Sequence, residues 1–336
     1  LLLQASDLPI TTSINPGERT HVARISIAVI GAGNMGTQHA RVVSEHPDFE
    51  LSLIVDNDIE RAQKLANEYS TTASTSLNDA LKANAVVVAS STASHVEIGN
   101  FFIENRVPLL IEKPLANGIE DVRKLTDLSA AKSVPLMCGF VERFNPVMAT
   151  LLGSISEVPN HVMALRHSPS GGSNYGNVID DLLIHDLDLC LQFPGTERVT
   201  EMSAVGDDLR DPSSVDALIA FDSNMRANLS ANRTSQRKLR IWFVNVGDTT
   251  YEADLMRQTL TSYRHLGHDI DGAFGYRSNT VIDVPYIRHA GEPLTLQLSH
   301  FRELVEGKGD LDSERKRCVD VHSLISDLYP HKKLAA

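Results

Sequence analysis

The chain has 336 residues, 42% apolar and 22% charged, with 31 Lys and Arg against 43 Asp and Glu, for a net charge of −12. That length exceeds what one hydrophobic core usually fills, so two domains are expected. The acidic balance argues against nucleic acid or an anionic membrane surface as partner. No apolar run approaches the ~20 residues of a membrane helix, and the opening Leu1-Leu2-Leu3 is too short for the apolar region of a signal peptide. Cys138, Cys190 and Cys318 are too widely spaced for a thiolate zinc site or disulfide framework, so buried, reduced thiols in a cytoplasmic protein are expected.

In chain order, residues 1–23 read as an N-terminal arm. From Arg24 short apolar runs alternate with helical stretches. Strands are expected at 25–30, 50–55, 86–89, 108–111 and 135–139, and helices from the glycine turn to about Glu45, then at 59–69, 95–105 and 119–132. This alternation implies a doubly wound parallel sheet with helices on both faces, a Rossmann domain over 24–142. The remainder, 143–336, reads differently. A strand at 161–167, a Gly/Ser/Asn-rich loop to Asn177 and a helix over 178–193 precede strands at 199–205, 215–221, 226–232 and 238–246, with two shorter ones through Tyr263. In the 226–232 run Ala227, Leu229 and Ala231 alternate with Asn228, Ser230 and Asn232, which marks a sheet with two chemically different faces. Helices at 293–306 and 314–329 close an α+β domain on a large, open, mainly antiparallel sheet.

Gly31-Ala-Gly33-Asn34-Met35-Gly36 follows the first strand and opens the first helix. The first glycine permits the turn, the second lets backbone approach a pyrophosphate, and the third lets helix pack on strand. Asp56 ends the next strand twenty residues beyond Gly36, where a carboxylate holds ribose hydroxyls. A carboxylate there would repel the extra phosphate of NADP, and Asn57 follows it rather than a basic residue, so NAD is the expected cofactor. Asp56 is also placed to cap the helix that begins near Asp58.

Two segments carry chemistry. Lys113, in Ile111-Glu112-Lys113-Pro114, stands at the C-terminal end of a strand, the edge where such sheets bind ligands. An ammonium there can stabilise negative charge on a substrate oxygen, or simply be a solvated turn residue. Asp181, His185 and Asp188 stand at i, i+4 and i+7 of the 178–193 helix, so a regular helix puts all three on one face. There His185 can accept a hydroxyl proton with a carboxylate one turn away to orient it; the alternative is an ordinary surface ion pair.

Together the glycine turn, the Glu112-Lys113-Pro114 triplet and the Asp181-x-x-x-His185 pair resemble the glucose-fructose oxidoreductase / inositol dehydrogenase / rhizopine catabolism (Gfo/Idh/MocA) family, from about Arg24 to the final helices. The resemblance implies an NAD-dependent oxidoreductase acting on CH–OH groups of a sugar, polyol or nucleotide sugar. It also implies a homo-oligomer, dimer or tetramer, built through the C-terminal sheet. By that resemblance Lys113 lies beside nicotinamide and substrate, Asp181 positions substrate, His185 is the general acid/base, and the Lys113–Pro114 bond is cis. Gly139 to Pro146 and Ile184 to Asp188 resemble the branch that oxidises nucleotide-linked amino sugars at C3. Departures are Gly176-Asn177 in place of a double glycine, Leu183 in place of a small residue, and Ser91 where the family often has Pro.

Further candidate cofactor contacts are Ser90, Thr92, His95 and Glu112, and candidate substrate contacts are Arg143, Arg166 and Tyr175 near the domain junction. His39 shares the cofactor side with His95, with packing an equal reading for both. His265, His268, Asp269 and Asp271 show no zinc-enzyme spacing, so no metal site is assigned. Two other uses of the fold stay open on sequence. One is a non-catalytic NAD or sugar sensor that regulates a partner; the other is an NAD-dependent glycosidase.

Overall fold

A computed structural model describes residues 24–170, 177–271 and 275–329, with side chains at 268–271 and 275–278 outside the description. Tyr175 and the arm over 1–23 therefore lie outside the described residues.

The first domain is a six-stranded parallel sheet in the order β3-β2-β1-β4-β5-β6. Its strands are β1 (Ile25–Ile30), β2 (Phe49–Val55), β3 (Thr72–Ser74), β4 (Ala85–Val88), β5 (Leu109–Glu112) and β6 (Leu136–Gly139). Helices α1 (Asn34–Glu45), α2 (Ile59–Glu68), α3 (Thr92–Glu104) and α4 (Ile119–Lys132) connect them. Strand order reverses between β1 and β4, and ligands of such sheets bind in the crevice beyond the strand ends at that switch point. The turns after β1 and β4 carry Gly31 and Ser90. Side chains alternate along β1: Ala28 and Ile30 join the core on one face of the sheet, Ile27 and Val29 the core on the other.

Past β6 come a 3-10 turn (Val141–Phe144) and α5 (Pro146–Gly153), neither expected from sequence; Asn145 caps α5 by accepting from the Val147 N–H, with Pro146 in the first turn. The second sheet has eight strands in the order β14-β13-β12-β11-β7-β10-β9-β8. They are β7 (His161–His167), β8 (Val199–Gly206), β9 (Ser214–Phe221), β10 (Arg226–Asn232), β11 (Leu239–Val246), β12 (Thr249–Asp254), β13 (Thr259–Asp271) and β14 (Gly275–Asp283). Only β7 and β10 pair in parallel. Alternation puts Val162, Ala164, Trp242, Val244, Ala227 and Leu229 in the core, while Met163, Leu165, Ile241 and Phe243 of the opposite face are half-buried and Leu218 is exposed.

The single helix expected over 178–193 is instead a π turn (Ile179–Leu183) leading into α6 (Ile184–Cys190). The last two helices, α7 (Pro293–Val305) and α8 (Leu311–Leu328), tie the halves together. Leu294, Leu298, Phe301 and Leu304 of α7 join the β1–β2 face of the first domain, although sequence order groups them with the second. Leu298 and Phe301 are fully buried there, each contributing about 1.5–3 kcal/mol of apolar burial. From α8, His322 Nε2 accepts from the Leu115 N–H at 3.0 Å and so braces the turn that follows Lys113. Cys138, Cys190 and Cys318 are free and buried. No described helix is long and apolar enough to cross a membrane.

Candidate active site

The turn after β1 is shaped by its glycines. Gly31 takes φ +103°, and a Cβ there would lie 2.7 Å from the Ala89 and Ser90 backbone. A Cβ on Gly36 would lie 1.8 Å from the Gly31 carbonyl oxygen. On Gly33 it would meet nothing within 4 Å. Gly33, Asn34 and Met35 are exposed, and α1 has no side-chain cap, so its first N–H groups are available to an anion. Asp56 Oδ2 accepts from the Ala32 N–H at 2.7 Å and Oδ1 from the Asp58 N–H at 2.9 Å. The α2 cap is Asp58, not Asp56. Arg61 Nη2 lies 3.6 Å from Asp56 Oδ1, a basic neighbour one helical turn away in sequence. An open second glycine, an uncapped helix start and a carboxylate at the next strand end fit a dinucleotide.

Across the switch point, Ser90 Oγ meets Ser94 Oγ at 2.8 Å, and Thr92 opens α3. Buried His95 joins two loops, with Nδ1 2.9 Å from the Pro114 carbonyl and Nε2 3.2 Å from that of Ser90; burial pushes its pKa down. The Glu112 carboxylate is buried and taken up internally, at 2.7 Å from His39 Nε2 and accepting the Lys113 N–H at 3.2 Å. It shapes the turn that delivers Lys113. The Lys113–Pro114 bond is cis.

Lys113 reaches across to the second domain, where its Nζ donates to the Asp181 backbone carbonyl at 2.9 Å and to Oδ1 at 2.8 Å. Arg233 donates to Asp181 Oδ2. Burial favours the neutral acid, but Lys113 and Arg233 outweigh it and hold the Asp181 carboxyl below its usual range.

The His185 side chain is buried and makes no hydrogen bond among the described residues, its Nδ1 included. The expected Asp181–His185 orientation is therefore absent. The π turn widens the helix between the two residues, and Asp181 turns to Lys113 and Arg233 instead. Burial first, then the positive field of Lys113, Arg166 and Arg240, depresses the His185 pKa well below 6.5.

Three further residues singled out from the sequence take internal partners. Asp188 is fully buried away from this stripe, in a fork with Arg143 (Nε 2.8 Å to each oxygen), whose Nη1 also bonds Glu314 at 3.0 Å. Arg143 thus serves as an internal tie between Asp188 and Glu314. Arg166, likewise buried, bonds Asp186 at 2.8 and 2.9 Å and Glu142 at 3.0 Å, leaving little for a ligand. Sequence reasoning missed Arg233, Lys238 and Arg240, which line one cavity with Asp181. The signal was visible as a basic run, Arg233 to Arg240, in an acidic chain. Among residues whose side chains are described, no group of three or more His, Cys, Asp or Glu could hold a metal.

Residues 25–140 match the GFO_IDH_MocA family, described as an oxidoreductase family with an NAD-binding Rossmann fold. The chain is 29% identical over 260 residues to a UDP-N-acetylglucosamine 3-dehydrogenase of Acidithiobacillus ferrooxidans, covering 75% of this chain and 81% of that relative. It is 30% identical over 236 residues to a myo-inositol dehydrogenase of Streptomyces leeuwenhoekii, covering 62% and 70%. The solved Acidithiobacillus ferrooxidans UDP-N-acetylglucosamine 3-dehydrogenase superposes with a TM-score of 0.79 at 23% identity over 91% of this chain and 97% of that one, a likeness of fold.

Proposed function

Because the chain belongs to the Gfo/Idh/MocA family of oxidoreductases, a dehydrogenase family with an NAD-binding Rossmann domain, we propose that it oxidises a secondary hydroxyl of a sugar, polyol or nucleotide sugar with NAD. The observation that carries this reading is the bridge from Lys113 to Asp181 across the two domains, beside a histidine whose Nδ1 has no partner among the described residues. The dinucleotide supplies the hydride acceptor when bound. Gly33 and the start of α1 hold its phosphates, and Asp56 its ribose. Asp56 and Asp58 flank Arg61, which favours ribose hydroxyls over an added phosphate at that edge.

His185, kept neutral, takes the substrate hydroxyl proton on Nε2. Lys113 donates to the same oxygen and stabilises the developing alkoxide. Asp181 fixes the Lys113 ammonium. Its role is to position Lys113 and substrate rather than to orient His185. Copies of the chain pair through the outer face of the eight-stranded sheet, where Met163, Leu165, Ile241 and Phe243 are half-exposed.

Absorbance at the NADH band, followed across nucleotide sugars, free sugars and polyols, tests the reading. The His185→Ala variant should lose roughly 10²–10⁴ in rate while binding NAD as the parent does. Full turnover by that variant would reject the assignment.

A further inference from the structure

Beside Asp181 a cavity of about 290 Å³ opens between the end of β7 and the connection from β10 to β11, lined among others by Arg166, His167, Arg233, Lys238 and Arg240. The chain as a whole is strongly acidic, yet this wall is not. Among the described residues, the cavity's Arg166, Arg233, Lys238 and Arg240, with Lys113 adjoining them through Asp181, face three carboxylates, those of Asp181, Glu142 and Asp186. Two positive charges are left over. Lys238 is exposed and makes no hydrogen bond or ion pair among the described residues. Arg240 bonds Glu142 at 2.6 Å with one nitrogen and is one-third exposed, so other donors remain for a ligand. A surplus of cations around a recess focuses the field on whatever anion enters it. Guanidinium and ammonium groups together match phosphate oxygens in geometry and charge.

We propose that this cavity holds a phosphoryl group of the substrate, so that the protein acts on a sugar phosphate or sugar diphosphate ester rather than on a neutral polyol. The inference rests on the dehydrogenase reading and narrows its substrate class. Asp181 joins the two regions: its carboxylate touches Lys113 on one side and Arg233, in the cavity wall, on the other. A phosphate monoester, or the two singly charged phosphoryl groups of a diphosphate diester, balances the surplus of two, which a polyol leaves unmet and a single carboxylate halves. The same positive field acts on His185, where Lys113, Arg166 and Arg240 all oppose protonation.

Calorimetric titration of the NAD-saturated protein with inorganic pyrophosphate tests the cavity without requiring turnover. Saturable binding is expected, weakened about tenfold by Lys238→Ala and unchanged by Lys316→Ala, a cation of a separate groove. No binding, equal binding by Lys238→Ala, or equally tight binding of glucuronate would overturn the proposal. Steady-state assays then separate the two levels. Equal KM values for a polyol and its phosphate ester would overturn the phosphoryl site and leave the dehydrogenase standing. Pyrophosphate binding without NAD reduction by any sugar, phosphorylated or not, would do the reverse.

Discussion

His185 sits in an environment hostile to its own charged form. It is buried, its Nδ1 has no partner among the described residues, and three cations act on it, so the imidazole stays neutral well below the ordinary value of 6.5. Neutral imidazole is the form that accepts a proton. Alcohol oxidation is therefore expected to hold a level kcat/KM down through pH 6.5 and to fall only in more acid solution. An acid limb at or above 6.5 would contradict this assignment. The same shift has a consequence for folding: below about 6.5 the unfolded chain binds the proton and the folded chain resists it, so stability declines as pH falls through that window. Lys113, Asp181 and His185 are legible in the sequence as residue types at strand and helix positions. Their contacts are only partly so. An i,i+4 spacing assumes 3.6 residues per turn, and nothing in the apolar run Leu182-Leu183-Ile184 announces a π turn that sends Asp181 toward Lys113.

Among the elements, the β1–α1 turn is the one whose local code is complete, because backbone sterics alone dictate it. Gly31 needs its positive φ, Gly36 lies against the Gly31 carbonyl, and Gly33 faces open space. These roles can be separated. Gly36→Ala should cost about 1–3 kcal/mol of stability, as forced overpacking does, visible as a lower midpoint in chemical denaturation. Gly33→Ala should unfold within about 1 kcal/mol of the parent but bind NAD at least about tenfold more weakly, because its Cβ enters the space a pyrophosphate needs. Equal loss of stability in both would mean that the open space at Gly33 has no binding role. The arginine assignments illustrate the opposite case. Arg143 and Arg166 stand near the domain junction, as read from sequence, but their partners Asp188, Glu314, Asp186 and Glu142 come from other elements. Breaking such a buried pair leaves a charge without compensation, so these residues belong to the fold before any ligand.

At the scale of the whole molecule, alternating strands and helices separate the two halves, and period-two patterning correctly assigns a two-faced sheet. What sequence order does not reveal is the return of α7 to the first domain and the bracing of the Lys113 turn by α8, since both depend on contacts between residues far apart in the chain. The outer sheet face has a consequence of its own. Leu218 is 55% exposed, and with its half-exposed neighbours it forms an apolar surface of the kind that marks an interaction site. Sedimentation of the parent protein should give a dimer or tetramer, and Leu218→Gln with Phe243→Gln should shift it toward the single chain with its circular dichroism unchanged. A parent that sediments as one chain would remove the proposed pairing.

The most direct test of the central claim is the fate of the carbon-bound hydrogen. The protein would be incubated with NAD and a sugar phosphate or nucleotide sugar deuterated at its secondary carbinol carbons, and the recovered dinucleotide examined by NMR. Deuterium at C4 of the nicotinamide, with a ketone appearing on the sugar, is the predicted result. Conversion of the sugar without net reduced dinucleotide or retained C4 deuterium would contradict the account.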